Sequence, residues 1–280
     1  MLRGLDEGDE TQCIVSNVLL KNPTPDPFQQ HDTETVLLAV ALKFCGGVVI
    51  WLDILAAITS GTTPVLMRHQ HQTLGHSAYT KLEEITGCKS WVMAILSRIA
   101  VLHEARRLAP HCTQTDMNSL IHEIKQDIFT GLTAENLGGI NITDVATPSH
   151  QTTDTQHNII TRIFANAALV YAQLIIDAFE TTREHSVEFD ETIGSIKIAR
   201  AQGLLRALVF PLFMMACVAK AGYEQKFFDD IFSSQAMSGG LFRYRRAMLD
   251  ILRRIWGMRE IDHELRWLDV LEDCKDLLLV

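Results

Sequence analysis

Proline and glycine are scarce in this chain, at 7 and 16 of 280 residues, below their usual shares of about 5% and 7%. That excludes a collagen, speaks against a turn-rich β-sandwich, and does not match the composition of a disordered chain. Cysteine is sparse as well. The six, at positions 13, 45, 88, 112, 217 and 274, form no CxxC pair. Without paired or clustered cysteines there is no zinc ribbon and no secreted disulfide framework, so they read as isolated thiols in a reducing compartment. The acceptor triplet Asn141-Ile142-Thr143 counts only in a secreted chain and reads here as chance. A basic leader is missing: residues 1–10 carry Asp6, Glu7, Asp9 and Glu10 against Arg3 alone. Positive charge is short throughout. Lys and Arg number 25 against 34 Asp and Glu, a net charge of −9 that opposes nonspecific affinity for nucleic acid. No G-x-S-x-G, Walker A or G-x-G-x-x-G sequence occurs.

What the chain does have is apolar residues, 47% of the total, in patterns of helical period. A length of 280 residues suits one large domain or two small ones, with a core that needs no metal or disulfide staple. Residues 1–31 read as loosely ordered, because Pro23, Pro25 and Pro27 force an extended or turn-like path. Asp32 or Thr33 is placed to cap a helix reaching Thr59, bent at Gly46-Gly47 and stopped by Ser60-Gly61-Thr62-Thr63-Pro64. Within it, Val36–Ile58 is apolar enough to raise the question of a membrane. Lys43 and Asp53 would sit in mid-bilayer at about 2.5–3.5 kcal/mol each, so the stretch reads as a buried core helix.

Residues 65–88 read as a polar, histidine-bearing connection. Helices follow over Ser90–Ala109 and about Thr115–Thr130, the second ending at Gly131. Residues 131–155, rich in Thr, Gly, Asn and Asp, are the expected flexible loop. From Asp154 to Glu180, Ile159, Ile163, Ala167, Val170, Leu174 and Ala178 form one face of a long amphipathic helix. Arg162, Asn166, Gln173, Asp177 and Glu180 form the other. Asp190–Ala221 is mainly apolar and is expected to kink or split at Phe210-Pro211. Helices over Tyr223–Met237, Leu241–Glu260 and Asp262–Leu279 complete an all-α reading of about nine helices in a single large helical domain over 32–280, with no period-2 strand.

Four groups of residues invite a chemical reading. His69, His71 and His76 have the spacing of an open zinc site, but no carboxylate lies between Gly61 and Lys81 to orient a ligand or act as base, so a polar loop is the better account. His103-Glu104 and His122-Glu123 each match half of HExxH. Arg107 and Gln126 stand where the second histidine belongs, which rejects a metalloprotease. Leu241–Glu260 carries Arg243, Arg245, Arg246, Arg253, Arg254 and Arg259 against Asp250 and Glu260. A phosphate-binding face is one reading; pairing with the acidic stretch 261–280, or with solvent, is the favoured one. Trp51, Trp91, Trp256 and Trp267 lie in apolar surroundings of helical spacing and read as core, with lining of an apolar pocket secondary. No catalytic, cofactor-binding or metal-ligating residue is assigned.

Three stretches in order carry a family resemblance. They are Trp51–Gly61 with Pro64; Leu208-Val209-Phe210-Pro211-Leu212-Phe213-Met214-Met215-Ala216-Cys217; and Arg245–Leu252 followed by Ile255-Trp256 and Trp267. Together they resemble the fungal-specific transcription factor domain, the helical regulatory region of fungal zinc-cluster (Zn2Cys6) regulators, over roughly residues 32–280. The resemblance implies a regulatory or effector module of a transcription regulator in the nucleus, controlling metabolic genes and not an enzyme. It also implies partners in the transcription machinery or a DNA-binding regulator, and a small-molecule effector. The six-cysteine cluster that reads DNA in that family is absent from this sequence. The expectation is therefore no cofactor, no membrane contact and no sequence-specific DNA binding by this chain, whether it is a truncated product, an excised domain or a cluster-less relative. An enzyme or small-molecule-binding protein on a helical scaffold is the alternative.

Overall fold

The computed structural model describes residues 27–66, 82–109, 114–138, 148–185, 189–234 and 245–274. Eleven α-helices fill them: α1 Pro27–Ser60, α2 Leu82–Thr86, α3 Ser90–Leu108, α4 Gln114–Gly138, α5 Pro148–Ile176, α6 Phe179–His185, α7 Phe189–Ala201, α8 Val209–Cys217, α9 Tyr223–Ser233, α10 Arg245–Ile261 and α11 Trp267–Cys274. A 3₁₀ turn at Leu204–Leu208 leads into α8, and no strand occurs among the described residues. The all-α reading holds. The count exceeds nine because short helices form in the connection after Ser60 and directly after α5.

Contacts divide the chain inside α1, into Met1–Phe44 and Cys45–Val280. In the first unit, α1 is already helical at Pro27, the first described residue, ahead of the expected cap at Asp32 or Thr33. Val36, Leu37, Leu38, Val40, Leu42 and Phe44 are exposed there. The buried core helix read over Val36–Ile58 therefore holds only for its second half, where Ile54, Leu55, Ala57 and Ile58 are buried. By length and apolarity Thr35–Ser60 and Thr155–Ile176 both reach membrane-spanning dimensions; 83% of the apolar window of the second is buried in the protein, as in a core helix.

The second unit is organised around α5, which packs against α3, α4, α7 and α8. Its apolar face, including Ile163, Ala167, Val170 and Leu174, is buried. The three stretches behind the resemblance meet here. In the first, Asp53 accepts the backbone N–H groups of Val65 (3.0 Å) and Leu66 (2.8 Å), which is why a carboxylate sits in an apolar helix. Gly61 takes a positive φ of 63° at the helix stop, open to glycine at little steric cost, and Arg107 donates to its carbonyl at 3.1 Å. Trp51 meets Phe164 of α5 edge-on at 5.7 Å, and Phe164 stacks on Phe210 of the second stretch at 6.0 Å.

That second stretch is α8, buried along its whole length. Asp190–Ala221 is broken, but not at Phe210-Pro211. The break falls at Gly203, whose φ is 74°, and Pro211 lies in the first turn of α8, where its missing N–H leaves no gap. The third stretch, α10, seals the other end of α8. Trp256 Nε1 donates to the Ala216 carbonyl (2.8 Å), while Arg259 Nη1 donates to those of Cys217 (2.7 Å) and Ala219 (2.9 Å). Ala216 and Cys217 end α8, where the last carbonyls lack the amide one turn on, and Ala219 lies two residues beyond.

Gly131 does not end α4. The helix runs on to Gly138, and Trp91 of α3 accounts for the glycine: a Cβ at residue 131 would come within 2.8 Å of the indole ring. Packing here overrides the helix-breaking tendency of glycine. Of the expected loop 131–155, residues 131–138 and 148–155 are helical and 139–147 lie outside the described residues. Where a helix was expected over Asp262–Leu279, α11 starts only at Trp267, after a turn in which Asp262 Oδ1 accepts the Glu264 N–H at 2.9 Å, and residues 275–279 lie outside the described residues.

Candidate ligand cavity

The strongest candidate site is a cavity of about 440 Å³ between α4, α5, α6, α7 and α8. Ile128, Phe129 and Leu132 of α4 face Leu169 and Val170 of α5, with Phe189 of α7 and Met215 of α8 closing the apolar wall. Two buried amides break that wall, and a third, Gln126, is exposed. Asn166 is 4% exposed and Gln173 is 9% exposed. Asn166 Nδ2 donates to Thr192 Oγ1 at 2.7 Å, and Gln173 Nε2 donates to the Asp177 carboxylate. Asn166 Oδ1 and Gln173 Oε1 are buried without a hydrogen-bond partner. Buried amide oxygens are nearly always paired, so two orphans on one wall of one cavity mark a place where something can donate to them.

The apolar wall is held from behind. The Arg183 guanidinium lies 4.0 Å from the centre of the Phe189 ring and donates through Nη2 (2.8 Å) and Nε (3.3 Å) to Glu224. Glu224 also accepts the Lys220 N–H at 2.8 Å. Burial works against the Glu224 carboxylate, yet these donors and the nearby positive charges hold its pKa below the ordinary value. A second cavity, of about 460 Å³, is lined by Asn118, Ile121, His122, Ile176 and Asp177, and shares Lys125 and Gln173 with the first.

The residues singled out in the sequence lie elsewhere. His69, His71 and His76 fall outside the described residues, and no metal-binding cluster occurs among those described. His103 is a core residue: it is fully buried, with Nδ1 2.7 Å from the Tyr171 hydroxyl. Its neighbour Glu104 accepts the Thr63 hydroxyl. His122 lines the second cavity. Two of the α10 arginines reach elements distant in sequence. Arg253 pairs with Asp229 of α9 at 2.7 Å, and Arg259 is buried over the end of α8. Arg243 lies outside the described residues. Among the tryptophans, Trp256 and Trp267 are buried and Trp51 and Trp91 pack partly buried against the core.

His103 has a consequence for pH. Burial, with the Arg107 charge adding to it, lowers its pKa from 6.5 to about 4. The unfolded chain therefore takes up the proton first as pH falls. Stability drops from pH 6.5 down to about 4 and levels off below, by up to about 3 kcal/mol. Urea titrations of wild type and His103→Gln between pH 7 and 4 should diverge in slope, with the variant less pH-sensitive; parallel profiles would refute a neutral buried imidazole.

Sequence reasoning assigned Asn166 and Gln173 to the polar face of α5 and saw no site in them. A polar column of period 3.6 looks the same whether it meets water or a cavity. The usable signal was chemical: two uncharged amides seven positions apart, within an otherwise apolar run from Ile163 to Ile176.

A family model described as fungal specific transcription factor domain matches residues 14–280. Pestheic acid cluster transcriptional regulator 3 of Pestalotiopsis fici is 32% identical over 238 residues, 82% of this chain and 42% of that protein. Transcription factor dibT of Pestalotiopsis microspora is 22% identical over 282 residues, 92% of this chain and 44% of its own length. The trichothecene biosynthesis transcription regulator TRI10 of Fusarium sporotrichioides is 23% identical over 240 residues, 83% and 53% respectively. The chain thus spans about half, or less, of the length of these relatives. No solved structure matches it.

Proposed function

The chain belongs to the fungal-specific transcription factor domain family, and on that footing we propose that it is the regulatory module of a fungal transcription regulator controlling genes of secondary metabolism. It works in the nucleus, through proteins of the transcription machinery or a DNA-binding regulator, and responds to a small-molecule effector. The match over residues 14–280 carries this reading, and the relatives, regulators of biosynthetic gene clusters by name, supply its biological setting.

The physical chemistry supports the same division of labour. A DNA reader needs exposed cations placed along a groove. The basic helix α10 instead uses Arg259 and Trp256 to dock on α8 and Arg253 to hold α9, and the whole chain carries −9. The cavity wall offers amides, threonines and apolar side chains, with Lys125 as its one charged residue. Those groups bind and orient; no nucleophile with an adjacent base lines it. The test is to tether the full chain to a reporter promoter through an unrelated DNA-binding domain. Reporter output that shifts only when the chain is tethered supports the reading; unchanged output opposes it.

A further inference from the structure

The cavity's polar groups state what its occupant must carry. Asp177 can only accept hydrogen bonds when ionised, so the Gln173 amide nitrogen must face it and Oε1 must face away, as an acceptor. Asn166 spends Nδ2 on Thr192 and leaves Oδ1 as a second acceptor. Seven residues apart on one helix, the two positions are separated by about 10 Å along the axis. Between and around them the wall is aromatic and aliphatic, with Phe129, Phe189 and Leu132 foremost. A cation finds no carboxylate on this wall. Lys125, the one charged residue of the lining, is exposed, so water screens it, and an anion at the buried amides would turn its charge toward two carbonyl dipoles, an unfavourable exchange for its hydration.

We propose that this cavity binds an uncharged aromatic molecule bearing hydroxyl donors at its two ends. One hydroxyl donates to Oε1 of Gln173 and the other to Oδ1 of Asn166, while the aromatic body displaces water from Phe129, Leu132 and Phe189. The volume, about 440 Å³, falls in the range of small-molecule sites. The proposal rests on the reading above only in making the ligand an effector; the binding itself stands on the geometry.

The probe is p,p′-biphenol, a rigid diphenol of suitable span, set against biphenyl and p,p′-dimethoxybiphenyl, which keep the aromatic body but donate nothing. Each is titrated calorimetrically into the full chain. Biphenol should bind at least about tenfold more tightly than either control, since only it can satisfy the buried acceptors. Gln173→Met, close in shape and lacking the acceptor, should weaken biphenol about tenfold and leave biphenyl unchanged. Circular dichroism melting checks that this variant folds; if it does not, the comparison of hydroxyl with methoxy on wild type decides alone. Equal affinity for all three probes, no effect of a folded Gln173→Met, or no biphenol binding up to its solubility limit would each overturn the proposal. A tethered chain that moves the reporter but binds no biphenol sinks the ligand and keeps the regulatory reading. Binding without any reporter effect does the reverse.

Discussion

Arg259→Ala should cost about 3 kcal/mol, enough to lower the melting temperature of a chain this size by roughly 10 °C. The guanidinium is 4% exposed. It satisfies the Cys217 and Ala219 carbonyls at 2.7 and 2.9 Å and lies 5.8 Å from the centre of the Phe179 ring. Truncation takes a charged donor away from two carbonyls in an interior that water does not reach, and the weaker satisfaction of those groups dominates the loss. Arg259→Lys keeps the charge but not the planar, multi-donor head, so it should recover only part of the loss. Arg253→Ala is the internal contrast. That pair, at 2.7 Å to Asp229, is half exposed, and its removal should cost under about 1 kcal/mol. Equilibrium urea unfolding of the three variants checks the order; an Arg259→Ala protein within about 0.5 kcal/mol of wild type would show that α10 does not seal α8 in this way.

Phe164→Ala should be as damaging or more so, at about 3–5 kcal/mol. Phe164 is fully buried and joins three elements, with Trp51 of α1 edge-on at 5.7 Å and Phe210 of α8 stacked at 6.0 Å. The loss combines the transfer of a whole ring from the core with the cavity left between helices that cannot all collapse onto it. Phe164→Leu fills most of the volume and should cost about 1–1.5 kcal/mol, mainly lost aromatic contacts and imperfect shape. The ratio of the two values carries the information. If Ala and Leu cost the same, the ring is not wedged between Trp51 and Phe210.

Both residues show where sequence reasoning reached and where it stopped. Helical period and the Gly61 and Pro64 stop signals located α1, α3, α5, α9 and α10 within a few residues, because burial of one face imposes that period. Gly131 and Pro211 misled, for the same reason in each case: a local preference was outweighed by a neighbour distant in sequence or by position in the helix. Trp91 fills the space a side chain at 131 would need, and Pro211 falls in a first turn that has no use for its N–H. The partners of Arg253 and Arg259 were not foreseen because charge counting sees proximity along the chain, whereas Asp229 and the end of α8 are reached only by folding. The cavity was invisible for a related reason. Asn166 and Gln173 have the spacing of a solvated face, and only the approach of α4 and α7 converts them into buried acceptors.

The most direct test of the central claim, a folded regulatory module acting on transcription through its own surfaces and ligand, is the tethered reporter with a folding control. The full chain and its Arg259→Ala variant are each fused to the same unrelated DNA-binding domain, matched for level in the nucleus, and assayed on one promoter. The account predicts a change in reporter output with wild type and, with Arg259→Ala, a decrease in proportion to the folded protein lost at the assay temperature. An unchanged reporter with wild type, or an equal effect from a variant shown to be unfolded, would contradict it.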